Sequence, residues 1–366
     1  MGGAEIQLLS LLKSIDSKKF DAVAAVFYRG HDLDDQFEKV ANARIIFLDK
    51  KGGFDFKYLQ KLRALIQKEK FDIIQPYNVS ARFIGWIMAA GFHVPFTIQT
   101  ERSARFLYTS LGSRIYQLLE NRALQRASLL VANSEAGREF AISRGVKRDK
   151  TRVIYNGIDP ERLLVTRNRE EICQEFGIPA DASIVGMVGR IEAQKDPDAI
   201  INAAQVVLAR TENVHFMLVG SGPLLLESRQ IVRQKNIDGH FSFTGNQEHV
   251  ADFLNAMDVF VLASKRSEGC SNAILEAMML GKPVVATRVG GNTEVVRHDE
   301  TGKLVPPQNP DALAAAILEI LQDDQKRMDF GRNGQILAKE KFSIRAMAGA
   351  YEKLYLGLIS SVRCNE

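Results

Sequence analysis

Two glutamates, Glu268 and Glu276, stand with seven residues between them in the string SEGCSNAILEAMMLGKPVVAT at 267–287. The apolar run Val259-Phe260-Val261-Leu262-Ala263 ahead of them reads as a buried parallel strand, so Glu268 falls just past a strand end. Ser271 or Asn272 can cap a helix that continues over 273–279 and ends at Gly281, with Pro283 opening the next strand; Glu276 then lies in the second turn. The amides from Gly269 through Cys270, Ser271 and Asn272 to Ala273 would point out of that helix start toward phosphate oxygens. Two carboxylates there would repel the same anion unless they take hydroxyls, and a sugar nucleotide, with phosphates between two polyols, satisfies every group. The competing reading is a solvated loop glutamate and a surface helix glutamate.

A second constellation follows another apolar strand at 183–188. Gly189-Arg190-Ile191-Glu192-Ala193-Gln194-Lys195 reads as a loop, and Asp196-Pro197 as an N-cap with proline in the first turn of a helix. Arg190 and Lys195 thus sit at the carboxyl end of a strand, where open α/β sheets bind ligands. Two cations there can neutralise a leaving diphosphate, the guanidinium bidentately, without a metal. The alternative is a solvated basic surface. Asp32-Leu33-Asp34 and Asp196-Pro197-Asp198 have the spacing of divalent-ion ligands, but capping or exposure accounts for both, and no required metal is expected.

Six strings carry a resemblance: NGID at 156–159, GRIEAQK at 189–195, VGSGP at 219–223, FTGN at 243–246, SEGCSNAILEAM at 267–278 and VGGNTEVV at 289–296. Their order and spacing resemble the retaining glycosyltransferases of the GT-B fold, most closely the family-four group that builds bacterial surface polysaccharide and lipopolysaccharide. The resemblance covers nearly the whole chain and is strongest over 153–306. It implies that Arg190 and Lys195 hold the donor diphosphate, that Glu268 faces the donor sugar and that Glu276 takes the ribose hydroxyls. Amides of Cys270, Ser271 and Asn272 would meet the distal phosphate or the sugar. Gly189, Gly220, Gly222 and Asn246 fall in the neighbouring donor-side loops, where 220–224 and 244–250 would select base and sugar. Gly2-Gly3-Ala4-Glu5 looks like the family's amino-terminal glycine loop, which lets backbone approach phosphates closely.

The chain departs from the family at two places. Relatives place a strand of about six residues before the glycine loop, whereas here the loop opens at residue 2. In a sheet of order 3-2-1-4-5 that strand is central, so the expectation is a first strand missing from the amino-terminal domain, through a start placed too late or a shortened chain. Relatives also carry a histidine near the donor sugar where this chain reads Thr97-Ile98-Gln99-Thr100-Glu101-Arg102. Glu101 would accept a proton or a sugar hydroxyl in its stead and Arg102 an anionic acceptor, or the two form a plain surface ion pair. His93, at the start of that strand, reads as structural.

These groups need a frame of strands and helices. At 366 residues the chain exceeds a single core, and it alternates apolar strands with amphipathic helices. The expected fold is α/β of GT-B type: two Rossmann-like, doubly wound domains facing a central cleft. Strands are expected near 22–28, 45–48, 72–76, 96–99, 129–132 and 153–155 in the first domain. In the second they fall near 184–188, 215–219, 241–244, 259–262, 283–286 and 303–305. An acceptor-side domain would occupy 1–165 and a nucleotide-sugar domain 166–343, with the join in 159–172, where Pro160 and the charged run 167–171 break apolar periodicity. A helix at 344–358, within a terminal 344–366, would cross back to the first domain.

Net charge is +4, too mild to argue for nucleic acid. Arg102, Arg105, Arg114, Arg122 and Arg126 accompany Phe106, Leu107, Tyr108, Ile115, Tyr116, Leu118 and Leu119, a basic amphipathic stretch suited to an anionic membrane surface or to burying one face in its own domain. No run of eighteen apolar residues and no signal peptide is seen. Cys173, Cys270 and Cys364 form no metal-ligand or disulfide pattern. A cytoplasmic location follows, with peripheral contact at the inner face of the plasma membrane as a further expectation.

The expected activity is metal-independent, configuration-retaining transfer of a hexosyl group from a UDP- or GDP-linked sugar, acting as donor substrate with no resident cofactor, to a hydroxyl of a glycan or lipid-linked glycan. A sugar-nucleotide epimerase and a non-catalytic sugar-nucleotide-binding partner are the alternatives. A nicotinamide dehydrogenase fails because Gly220-Ser221-Gly222 runs into Pro223 and the next strand ends Thr244-Gly245-Asn246 with no acid. A phosphorylase fails for want of an identifiable pyridoxal lysine.

Overall fold

In a computed structural model of the chain, residues 2–30, 33–52, 55–102, 111–266 and 268–363 are described. They divide into two compact units, 1–157 with 344–366 and 158–343.

The second unit is built on one sheet. Its strands are β7 (Ser183–Val188), β8 (Val214–Val219), β9 (Phe241–Gly245), β10 (Val259–Leu262), β11 (Val284–Thr287) and β12 (Gly302–Val305), all parallel, in the order β12-β11-β10-β7-β8-β9. They read as continuous apolar runs because both faces are covered; every residue of β8, β10 and β11 is buried. The helix Pro197–Leu208 covers one face, burying Ile200, Ile201, Ala203, Ala204 and Val207 beside Leu313, Ile317 and Ile320 of the helix Pro310–Leu321. The chain order reverses between β7 and β10, so the loops leaving those two strands diverge at their carboxyl ends and open a crevice there.

Among the described residues the first unit also has only parallel strands, but they form two sheets. β1 (Ala22–Val26) pairs with β2 (Ala43–Phe47), and β3 (Ile73–Ile74), β4 (Phe96–Glu101), β5 (Leu129–Ala132) and β6 (Thr151–Val153) pair in sequence order. The helix Gly3–Ser14 packs on both pieces. Its Leu9 and Leu12 meet Ala24, Leu33 and Phe37, while Leu11 meets Ile98, Leu129 and Val131 together with Met347 and Tyr351 of the carboxyl-terminal helix Ile344–Arg363. Of β1 only Ala24 is buried, and Ile73 and Ile74 are half-buried, in contrast to the inner strands of the second sheet.

Three sequence expectations shift here. β3 is two residues long, β4 runs on to include Glu101, and 158–165 groups with the second unit rather than the first. The last shift has a polar cause. The amide of Ile158 donates to Phe342 O at 2.9 Å, and the amide of Thr166 to Asp252 Oδ1 at 2.6 Å, contacts that apolar periodicity does not report.

Candidate active site

The loop after β7 is shaped by backbone contact. Gly189 N donates to Val219 O at 2.9 Å and Ile191 N to Ser221 O at 3.0 Å, tying the loop that carries Arg190 to the end of β8. A Cβ on Gly220 (φ +133°) would drive into the Gly189 carbonyl, and one on Gly222 into that of Ile191. The GSG string therefore sets the path of the neighbouring loop. Asp196 ends that loop at φ 51°, a left-handed conformation that its side chain supports by accepting from the amide of Ala199. Lys265, just past β10, clasps the same loop twice: its amide donates to Gln194 O at 2.9 Å and its Nζ lies 3.2 Å from Asp196 Oδ1.

This clasp brings Lys195 to Glu268. Lys195 Nζ is 2.6 Å from Glu268 Oε1, and that oxygen also accepts from Ser264 Oγ at 2.5 Å. Glu268 is 7% exposed, so the pair is shielded from bulk water and stronger than a surface bridge. Its backbone is fixed as well: Gly291 N donates to Glu268 O at 2.9 Å, and Gly290 (φ +47°) leaves no room for a Cβ beside that carbonyl. The two residues arrive from opposite sides of the switch point, one after β7 and one after β10.

Gly269, Cys270 and Ser271 then lead into the helix Asn272–Met279, with Gly269 and Asn272 half-buried and Cys270 and Ser271 buried. Ser271 occupies the N-cap position and its own side chain makes no capping hydrogen bond. The positive end of this helix lies a few residues past the Lys195–Glu268 pair.

Glu276, in the second turn, is 7% exposed, with Arg162 Nη2 3.7 Å from its Oε1. Burial raises its carboxyl above the ordinary value, and Arg162 opposes the rise. Because the folded chain holds this proton more tightly than the unfolded chain, ionised Glu276 costs stability, and the cost appears as pH climbs through the folded-state pKa. Glu276→Gln is therefore expected to unfold at higher urea than the parent at pH 8, with the gain disappearing below about pH 4, near the unfolded-chain value.

Arg190 does not join the pair. Its side chain is 66% exposed and lies 3.4 Å from Glu192. Asn246 is also exposed, beyond β9. Arg162, Ser264 and Lys265 were not singled out from sequence. Ser264 had a usable signal, as the first polar residue after the apolar run ending at Ala263; Arg162 and Lys265 had none beyond charge.

In the first unit, Glu101 does not stand open as a catalytic base. It is 1% exposed, with Oε1 3.2 Å from Arg82 Nη2 and Oε2 3.7 Å from Arg144 Nη1. Arg82 Nη1 and Arg144 Nη2 each also reach Glu120 at 2.7 Å, closing a network of two arginines and two glutamates. The carboxylate is committed to cations because β4 carries it inward, over the helix Val79–Gly91, which supplies Arg82. Arg102, next along, has neutral partners: Asn156 Oδ1 at 3.1 Å, Tyr351 OH at 3.5 Å and the Tyr77 ring at 4.6 Å. Gly2 and Gly3 are exposed at the start of the first helix.

Of the basic amphipathic stretch, Arg105, Phe106, Leu107 and Tyr108 lie outside the described residues, as do the side chains of Arg114, Ile115 and Tyr116. On the helix Leu111–Arg126, Leu118 (64%) and Leu119 (38%) are exposed beside exposed Arg122 and Arg126. Among the described residues no helix is long and apolar enough to cross a membrane. Cys364 and Asp32 also lie outside the described residues.

Comparison with known proteins agrees with this frame. The family model "Glycosyltransferase Family 4" matches residues 1–162, and the model "Glycosyl transferases group 1" matches 168–336. The capsular polysaccharide biosynthesis glycosyltransferase CapM of Staphylococcus aureus is 30% identical over 82% of this chain and 80% of its own length. A UDP-Gal:alpha-D-GlcNAc-diphosphoundecaprenol alpha-1,3-galactosyltransferase of Escherichia coli is 27% identical over 83% of this chain and 80% of its own. Among solved structures, Anabaena HepE in complex with UDP and glucose shares the fold, with a TM-score of 0.83 at 24% identity over 97% of this chain and 96% of that one.

Proposed function

This chain belongs to glycosyltransferase family four and is a glycosyltransferase of the GT-B type, and from that premise we propose that it moves a hexosyl group from a UDP-linked sugar to a hydroxyl of a lipid-linked glycan in surface polysaccharide synthesis, with retention of configuration. The observation that carries this reading is the Lys195–Glu268 pair at the switch point, beside the start of the helix Asn272–Met279. A diphosphate laid against that end meets backbone donors, and Lys195 supplies charge from the β7 side. Arg190, exposed on the same loop beside Glu192, closes on the diphosphate when it binds. Glu268 and Glu276 take hydroxyls of the sugar and the ribose. The choice of UDP and of a lipid-linked acceptor is supported by what is bound in the HepE complex and by the named reaction of the E. coli relative.

Chemistry then turns on the leaving group. As the glycosidic bond breaks, the sugar becomes oxocarbenium-like and the diphosphate gains negative charge. Cations and amides gathered at this end of the sheet favour that state over the ground state, which lowers the barrier without a resident metal or cofactor. An oxygen of the departing phosphate takes the acceptor proton on the same face. Leu118 and Leu119 beside Arg122 and Arg126 favour a site at the inner face of an anionic membrane, where a lipid-linked acceptor is presented.

A panel of UDP-, GDP- and ADP-sugars tests the reading. The expected result is a rise in melting temperature with a UDP-sugar and sugar transfer to an undecaprenyl-linked glycan. Isomerised sugar from donor alone would mean an epimerase, and tight donor binding with no transfer a binding partner.

A further inference from the structure

The Lys195–Glu268 contact raises a mechanical question. If the donor diphosphate claims Lys195, Glu268 loses a partner at 2.6 Å at the moment it must face the sugar. A carboxylate 7% exposed and released from its cation would swing or draw in water unless something else holds it.

Ser264 is placed to do so. It lies at the carboxyl end of β10, is fully buried, and donates its hydroxyl to Glu268 Oε1 at 2.5 Å, four residues along the chain. It is itself anchored: its carbonyl accepts from Thr287 Oγ1 at 2.7 Å, at the end of β11, and the Thr287 carbonyl accepts from Asn292 Nδ2 at 3.1 Å. Thr287 is 2% exposed and Asn292 fully buried. The anchor is therefore a chain of buried hydrogen bonds across two adjacent strand ends, with no flexible cation in it. Both short contacts fall on Oε1, and among the described residues Oε2 takes no hydrogen bond. The carboxylate is gripped by one oxygen and offers the other.

We propose that Ser264 is the positioning residue for the donor sugar: it keeps Glu268 oriented, with Oε2 toward a sugar hydroxyl, after the diphosphate has drawn Lys195 away. This rests on the donor site proposed above and adds a division of labour to it, since Lys195 is exchangeable between carboxylate and phosphate while Ser264 is fixed.

The test compares Ser264→Ala and Ser264→Thr with the parent, using UDP and UDP-sugar in calorimetry and transfer assays. Ser264→Ala should leave the Kd for UDP within about twofold, because UDP lacks the sugar that Glu268 faces. It should lower kcat roughly 10- to 100-fold, the effect of one hydrogen bond to a charged group, and erase any preference for UDP-sugar over UDP. Ser264→Thr keeps the hydroxyl and should recover most of both. Unchanged kcat and unchanged preference in Ser264→Ala would overturn the proposal. So would a parallel fall in UDP affinity and melting temperature that Ser264→Thr does not restore, since that is structural damage. If the parent binds UDP-sugar but transfers to no acceptor, the transfer reading fails, and the binding preference still decides the role of Ser264.

Discussion

Lys195→Ala is expected to lower kcat by about 10²- to 10³-fold, the loss typical of removing one preorganised group from a transition-state charge. The ammonium approaches from the β7 side of the switch point and is only 18% exposed on its side chain, so water does not replace it well. The substitution also strips Glu268 of its cation, and part of the effect will be misorientation of that carboxylate. Arg190→Ala separates the two. Arg190 is exposed, and among the described residues its ion pair is with Glu192, so its removal should leave the melting temperature within a degree or so and still lower kcat/KM, with the larger share in kcat. Steady-state kinetics with the preferred donor, beside thermal melts of both variants, measures this. Near-normal transfer by both proteins would contradict the placement of the diphosphate at this end of the sheet.

The second large effect lies in the first unit and concerns folding. Glu120 is fully buried and holds Arg82 and Arg144, each at 2.7 Å. Glu120→Ala leaves two shielded guanidiniums sharing, among the described residues, the one carboxylate of Glu101, and breaking a buried ion pair in this way costs about 3–5 kcal/mol. The first unit's urea transition should move accordingly, while the second unit's transition stays in place. Glu101→Gln belongs to the same test. It should shift that transition in the same direction by a smaller amount and leave the shape of the pH–rate profile unchanged, since its carboxylate is engaged by arginines. A flattened basic or acidic limb in Glu101→Gln would restore it as a proton acceptor.

Much of the fold is legible in the residues because burial on both faces of a parallel sheet demands uninterrupted apolar runs. The strands from Ser183 to Val305 were therefore readable to within a residue or two. The switch-point rule then places Lys195 and Glu268 near each other although 73 positions separate them. What could not be read was the partner of each charged side chain. Glu101 looked like a replacement for an absent histidine, yet Arg82, Glu120 and Arg144 enclose it from three separate segments, and no periodicity links them. Arg190 looked equivalent to Lys195 on spacing, but only the lysine is turned in by the clasp that Lys265 makes on Gln194 and Asp196. The edge of the second unit at Ile158 was hidden for a similar reason, since single hydrogen bonds tie that segment down where apolar pattern is weak.

The two-piece arrangement of β1–β2 and β3–β6 gives one half of the molecule four strand margins where a continuous sheet would have two. A strand margin carries amide and carbonyl groups that can pair with another strand, and β1 and β3 are short, half-buried, uncharged rows with no lysine or proline to turn a stranger away. Self-association under concentration or mild heat should therefore begin in the first unit, with the second unit still intact inside the aggregate.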